Sequence, residues 1–310
     1  MNSPLSGIIP PLATPLLAGD ELDVAGLERL VEHVLAGGVQ GLFLLGTTGE
    51  GPSLSYRLRR ELVERVCRQV AKRVPILVAI TDTIFAESIA LARHSAEHGA
   101  DAVVVAPPYY LPAAQPELAE YVDHLVDALP LPLMLYNMPS LTKVVFEPDT
   151  VRRAMDNPRI IGLKDSSANM LYFHRLLALL PHRPDWSLLM GPEELLMESV
   201  LLGGHGGVSG GANVFPELYV RLCQEARRTP GDRERVRDLH LQILRVAGSL
   251  YGVGRHSSAV IKGIKCALSC LGICDDFMAE PFHRFRDPER ARIAAAVERL
   301  KPEIAALLAA

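Results

Sequence analysis

The stretch "DAVVVAPPYYLPAAQPELAEYVDHLVDALPLPLMLYNMP", residues 101–139, holds one unit of the pattern that decides the fold. It opens on an unbroken apolar run, passes through a proline-marked loop into an amphipathic stretch at 117–129, and ends on a second apolar run. Unbroken rather than alternating runs suit strands covered on both faces. A helical pattern between two of them is the crossover that a parallel pair needs. The runs "GIIPPLATP", "VQGLFLLG", "PILVAIT", "RIIGLKD", "SLLMG" and "GGVSG" bring the set to eight, with further helical patterns at 24–35, 57–74 and 86–98. Strand and helix alternating at about 25 to 30 residues per unit predict an α/β fold, a closed (β/α)8 TIM barrel. A doubly wound sheet is the rival, but the first run leads into "PPLATPLLAGDELD" without the glycine loop such a sheet uses for phosphate.

Beyond Pro216 the strand signal stops, and amphipathic stretches follow at 217–228, 233–250 with 257–271, and 288–308. The first serves as the eighth barrel helix, so the expected division is a barrel over 1–228 and a C-terminal helical extension over 229–310. The 310 residues are 49% hydrophobic and 22% charged, an ordinary globular balance. A formal charge of −4 offers no broad basic field for nucleic acid or an anionic membrane surface. No uncharged apolar run approaches the ~20 residues of a membrane span. The opening "MNSPLSGIIPPLATPLL" has no basic segment ahead of its apolar residues, and five cysteines spread over the chain make no disulfide framework, so a cytoplasmic location is expected. Cys266, Cys270 and Cys274 recur at the spacing of one helix face, which reads as core rather than metal ligands. Neither metal nor cofactor is expected.

Barrel chemistry collects at the C-terminal ends of the strands. Those ends carry Thr47, Thr48 and Glu50, then Tyr109 and Tyr110, Tyr136 and Asn137, Lys164 and Asp165, and finally "GPEE" and "GGVSGGAN". Lys164 closes the apolar run of "RIIGLKDSS". A lysine held away from water loses proton affinity and becomes an amine nucleophile able to form an imine with a 2-oxo acid. The phenol of Tyr136, on the neighbouring strand end, is positioned to shuttle its protons. Hydroxyls and free N–H groups in "GTTGE" are suited to a carboxylate. Taken singly each has a plainer reading: Lys164 as a solvated strand-end residue, Tyr136 as a packing aromatic, "GTTGE" as a turn with Glu50 in a structural role.

Together, "GTTGE" at 46–50, "PPYY" at 107–110, "YNMP" at 136–139, "GLKDSS" at 162–167 and "GGVSGGAN" at 206–213 resemble the dihydrodipicolinate synthase and N-acetylneuraminate lyase family of pyruvate-dependent class I aldolases. The resemblance spans nearly the whole chain. It implies Lys164 as the Schiff-base lysine, Tyr136 as the proton-transferring phenol and Thr47 as its partner in the relay. It further implies Thr48 on the 2-oxo acid carboxylate, with Val208 and Gly210 lining the pyruvate end. Tyr110 resembles the tyrosine that reaches into a neighbouring subunit, which implies a homotetramer built as a dimer of dimers.

True dihydrodipicolinate synthases carry an arginine five residues after the tyrosine, where its fork binds the carboxylate of aspartate semialdehyde. Leu141 stands there in this chain, and Lys143 lies two residues further on. Leucine resembles instead the branches that handle neuraminate and 2-keto-3-deoxy sugar acids. Glu193 and Glu194 fall where those branches place acceptors for sugar hydroxyls, although both also suit a helix N-terminus. The expected function is therefore a lyase acting on pyruvate or a 2-keto-3-deoxy sugar acid. Dihydrodipicolinate synthase proper, a keto-deoxy sugar acid dehydratase and a non-catalytic small-molecule-binding barrel are the alternatives.

Overall fold

The computed structural model describes residues 4–228 and 231–310. Eight parallel strands form one sheet: β1 (Gly7–Ile8), β2 (Leu42–Leu44), β3 (Ile76–Ala79), β4 (Ala102–Val105), β5 (Leu133–Asn137), β6 (Ile160–Asp165), β7 (Ser187–Met190) and β8 (Gly206–Gly207). From β2 onward each strand pairs with the next in sequence, β8 pairs back onto β1, and a parallel bridge between Pro11 and Phe43 closes the ring between β1 and β2. The unbroken apolar runs are the strands. Val103, Val104 and Val105 are each 1% exposed or less, because one face meets the barrel interior and the other the helical ring. Burying a Val or Leu side chain in this way is worth about 1.5–3 kcal/mol relative to leaving it in water.

The helical ring comprises α1 (Val24–Ala36), α2 (Tyr56–Val70), α3 (Phe85–Glu97), α4 (Gln115–Ala128), α5 (Pro148–Ala154), α6 (Met170–Leu177), α7 (Leu196–Leu201) and α8 (Pro216–Arg227). The sequence states their starts locally. Asp23 caps α1 through the Gly26 N–H at 2.8 Å, and Ser55 caps α2 through that of Leu58 at 3.2 Å. A short antiparallel hairpin, Leu16–Ala18 with Glu21–Leu22, covers the turn after β1 and has no counterpart in the sequence reading.

β1 and β8 are shorter than their apolar runs, and the chain needs glycine where the two pair. Gly206 has φ +138°, and a Cβ there would lie 2.0 Å from the Gly7 carbonyl oxygen. Asn213 secures the same seam. Its Oδ1 accepts from the Ala13 N–H at 3.0 Å, and its Nδ2 donates to the carbonyls of Pro11 and Gly210, each at 2.9 Å.

Three further helices, α9 (Arg233–Tyr251), α10 (Ala259–Cys270) and α11 (Glu289–Ala309), form the C-terminal extension. The division expected at 228/229 borders residues 229–230, which lie outside the described residues. Leu218 and Leu222 of α8 share one buried cluster with Leu239 and Ile243 of α9, so extension and barrel have a common core. The cysteine expectation needs one correction. Cys266 and Cys270 lie on α10, but the helix ends there and Cys274 sits in the following turn. All five cysteines are free, and burial pushes the Cys266 and Cys274 thiols up to about 12.

Candidate active site

β5 and β6 are paired so that Tyr136 stands opposite Lys164 and Asn137 opposite Asp165. Tyr136 belongs to the cluster filling the barrel interior, with Phe43, Met134, Leu189 and Val208. Lys164 is only 4% exposed. Its Nζ lies 4.2 Å from the Tyr136 ring centroid and 4.8 Å from that of Phe43, and the two rings meet edge to face. The ammonium is thus held between aromatic surfaces and not by a carboxylate. Burial depresses the Lys164 pKa, opposed in part by the charge and hydrogen bonding of Tyr136. For Tyr136 burial acts upward, but Lys164, Thr47 and Ser166 outweigh it and the phenol falls below its usual value. Both groups thus hold their protons less tightly than in water, and standing side by side they suit proton exchange with a substrate.

Thr47 Oγ1 and Tyr136 Oη lie 3.3 Å apart, which extends the pair into a chain of three polar groups. The turn bearing Thr47 and Thr48 is pinned from two sides. Thr14 Oγ1 donates to the Gly49 carbonyl at 2.7 Å, and Glu50, held at φ +55°, forms a fully buried ion pair with Lys265 of α10 at 2.6 Å. The second Glu50 oxygen accepts from the Ala279 N–H at 2.8 Å. Glu50 therefore ties the extension to the strand-end turn, in keeping with its structural reading. Behind β5 and β6, Asn137 Nδ2 donates to Asp165 at 2.9 Å, and Asp165 also accepts from the Ser167 N–H and hydroxyl, each at 3.0 Å.

A cavity of about 210 Å³ opens beside this group, and Thr47, Tyr136 and Leu141 are in its wall. Leu141 sits on the short helix Pro139–Thr142 and is 47% exposed. Lys143 is no substitute for a cation here, because its Nζ turns back onto the Ser140 carbonyl at 2.7 Å. Lys164 lies behind Tyr136 rather than in the cavity wall, and Thr48, Val208 and Gly210 are not in that wall either. Thr48 and Val208 are buried around the strand ends, and Gly210 opens the turn after β8, close to Ile264 and Tyr251 of the extension. Tyr109 lines the cavity, whereas Tyr110 is 90% exposed with φ +81° and projects from the chain.

Glu193 departs from expectation. Its carboxyl is turned from the cavity into the packing between barrel and extension, accepting from Tyr219 Oη at 2.5 Å and the Gly211 N–H at 2.8 Å. Burial raises its pKa to about 7 against the pull of those donors. Both of its oxygens are taken by partners within the fold, and it does not line the cavity. The sequence reading also passed over Arg59, a buried cation in the cavity wall. Its guanidinium bonds Asp82 at 2.9 Å and the Leu54 carbonyl at 3.0 Å. Nothing in "YRLRRE" distinguishes it from its surface neighbours. On the outer face, His94, Glu97 and His98 bring possible metal donors within 4.8 Å of one another, though His94 Nε2 and His98 Nδ1 already contact backbone carbonyls. Among the described residues no helix is long and apolar enough to cross a membrane.

The fold and sequence are similar to those of known proteins. The solved structure of a dihydrodipicolinate synthase from Bacteroides thetaiotaomicron is similar at a TM-score of 0.93 and 56% identity, covering 96% of this chain and 100% of that one. YagE of Escherichia coli K12, solved in complex with pyruvate, is similar at a TM-score of 0.89 and 30% identity over 96% of this chain and 98% of its own. YagE carries the provisional name 2-dehydro-3-deoxy-D-gluconate aldolase, and in sequence the two are 30% identical over 96% of this chain and 97% of YagE. A 4-hydroxy-tetrahydrodipicolinate synthase of Thermomicrobium roseum is 34% identical over 98% of this chain and 97% of its own. The pattern of the Dihydrodipicolinate synthetase family matches residues 4–300, and the chain belongs to that family.

Proposed function

We propose that this protein is a lyase that makes or breaks a carbon–carbon bond through an imine between Lys164 and a 2-oxo acid, either pyruvate or a 2-keto-3-deoxy sugar acid. The observation that carries the reading is the buried amine of Lys164, in register with Tyr136 and without a carboxylate partner among its contacts. In the cleavage direction the neutral amine adds to the ketone carbon, and loss of water leaves a protonated imine. The bond between the third and fourth carbons then breaks. Its electrons move into the imine to give an enamine, and the aldehyde departs. Protonation of the enamine and hydrolysis release pyruvate and restore the lysine. Tyr136 carries the protons in and out, with Thr47 as the next member of the chain. Thr48 and the backbone at Val208 and Gly210 are assigned to the substrate carboxylate end. A non-catalytic binding barrel would have no use for a buried amine set against a phenol.

The wall facing the aldehyde end supports a sugar acid over aspartate semialdehyde, because Leu141 gives that end no fork for a second carboxylate. The names of relatives do not favour the sugar acid, since the 56% identical structure carries the synthase name and YagE, with the aldolase name, is 30% identical. Within the cavity wall, synthase activity proper has the cation Arg59 in its favour, but Asp82 already neutralises it. The exposed Tyr110, with its neighbour Leu111 at 76% exposure, supports a homotetramer in which Tyr110 completes the site of a second subunit.

The test is borohydride reduction in the presence of pyruvate, with the adduct located by mass spectrometry, followed by kcat/KM across keto-deoxy sugar acids and aspartate semialdehyde. A reduced adduct on Lys164 and turnover of a sugar acid are expected. An adduct elsewhere, or none, overturns the imine. Preferred turnover of aspartate semialdehyde overturns the argument from Leu141 alone.

A further inference from the structure

Away from the barrel mouth, the loop joining α9 to α10 and the segment leading into α11 face each other across a cleft of about 550 Å³. Its lining is apolar at the base. Phe285 is buried, and Gly254 lies so close that an added Cβ would come within 2.6 Å of the Ala259 Cβ and 3.4 Å of Phe285 Cε1. Around this base one segment supplies Arg255 and Lys262 and the other Arg286 and Arg292, against two carboxylates, Asp287 and Glu289. Neighbouring arginines in the same stretch are tied down, Arg284 to Asp275 at 3.0 Å and Arg290 to Asp276. Among the described residues the four cations of the cleft make no ion pair within 4.0 Å, even with the carboxylates beside them.

Like charges gathered in a concavity repel, and that arrangement is relieved when an anion enters. The first turn of α10, at Ser258 and Ala259, also borders the cleft and adds its partial positive charge. We propose that this cleft binds a small anion bearing several charged oxygens, of the phosphate-ester or tricarboxylate type, at a site separate from the catalytic cavity. Guanidinium forks approaching from two segments suit several oxygens held at once, which a single carboxylate cannot offer. Lys262 stands one turn ahead of Lys265, the partner of Glu50, so the occupied cleft adjoins the helix that anchors the catalytic turn.

The experiment is isothermal titration of the full chain at constant ionic strength, with inorganic pyrophosphate and citrate as separate probes and acetate as control. Saturable binding of at least one probe is expected, pyrophosphate alone pointing to phosphate esters and citrate alone to polycarboxylates. Arg286→Gln with Arg292→Gln should weaken it about tenfold or more, as should Arg255→Gln with Lys262→Gln. Lys72→Gln, a surface control, should leave it unchanged. Saturating pyruvate should also leave it unchanged, since the cleft shares no lining residue with the catalytic cavity. The proposal is overturned if neither probe saturates the native protein, if both charge-removing pairs bind as tightly as it does, or if pyruvate displaces the probe.

Discussion

Replacing Lys265 by methionine leaves Glu50 with a buried charge and one protein donor, the Ala279 N–H at 2.8 Å. Both side chains of the pair are at most 1% exposed, so water cannot take the place of the ammonium. Removing one partner of such a pair costs about 3–5 kcal/mol. With an unfolding entropy of about 2.1 cal/mol/K per residue, a loss of ~4 kcal/mol spread over this chain lowers Tm by roughly 6 °C. Activity should fall as well, because Glu50 holds its left-handed conformation two residues after Thr48 in the turn that presents Thr47 to Tyr136. Adding Glu50→Gln to Lys265→Met removes the stranded charge and should recover at least about half of the lost stability. Calorimetry and urea unfolding of native, single and double variants measure this directly. A single variant within about 1 kcal/mol of the native protein would refute the reasoning, as would a double variant less stable than the single one.

Three further outcomes follow from the site. Tyr136→Phe removes the hydroxyl that bonds Thr47 and should slow imine formation with pyruvate by about 10²–10⁴-fold, read as the rate of borohydride-trappable adduct; an unchanged rate takes the proton shuttle away from this residue. Glu193 has its pKa raised from 4.5 to about 7 in the folded protein, so its contribution to stability is complete below pH 4.5 and fades as the pH climbs through 7, by about 3 kcal/mol in all. Glu193→Gln should flatten that part of the stability profile in urea titrations between pH 4.5 and 8, and parallel profiles would assign the slope to other groups. Leu141→Arg places a guanidinium in the cavity wall and should raise kcat/KM for aspartate semialdehyde relative to a keto-deoxy sugar acid by about tenfold or more, with no change in the ratio counting against this wall as the selector.

The parts of the molecule legible in the sequence are those that local chemistry dictates. Val103 to Val105 read as a strand because an unbroken β-branched run between proline-marked loops has few other outcomes, and Lys164 drew notice because its charge ended such a run. The hairpin at Leu16–Ala18 and Glu21–Leu22 was hidden, since two or three residues per strand carry no period to detect. Glu193 was visible as an acid but not as a buried one, because the groups that enclose it, Gly211 and Tyr219, lie far along the chain. Arg59 could not be told from Arg57 and Arg60 by sequence. Only the fold turns one inward to Asp82 and leaves the others at or near the surface.

The seam held by Asn213 also constrains how the chain is made. Its contact with Ala13 joins residues 200 positions apart. At a synthesis rate of about 5–20 residues per second, the first strand waits ~10–40 s for its partner to leave the ribosome. An open strand edge in that interval is a template for another nascent chain. β1 offers little to copy: it is two residues long, begins on glycine and passes through Ile9 into Pro10 and Pro11, which have no amide hydrogen to donate. The poor strand that makes the closure hard to see in the sequence is thus a safe end to leave unpaired, and protection against misassembly during translation is bought with a seam that needs glycine and a clamping asparagine to hold.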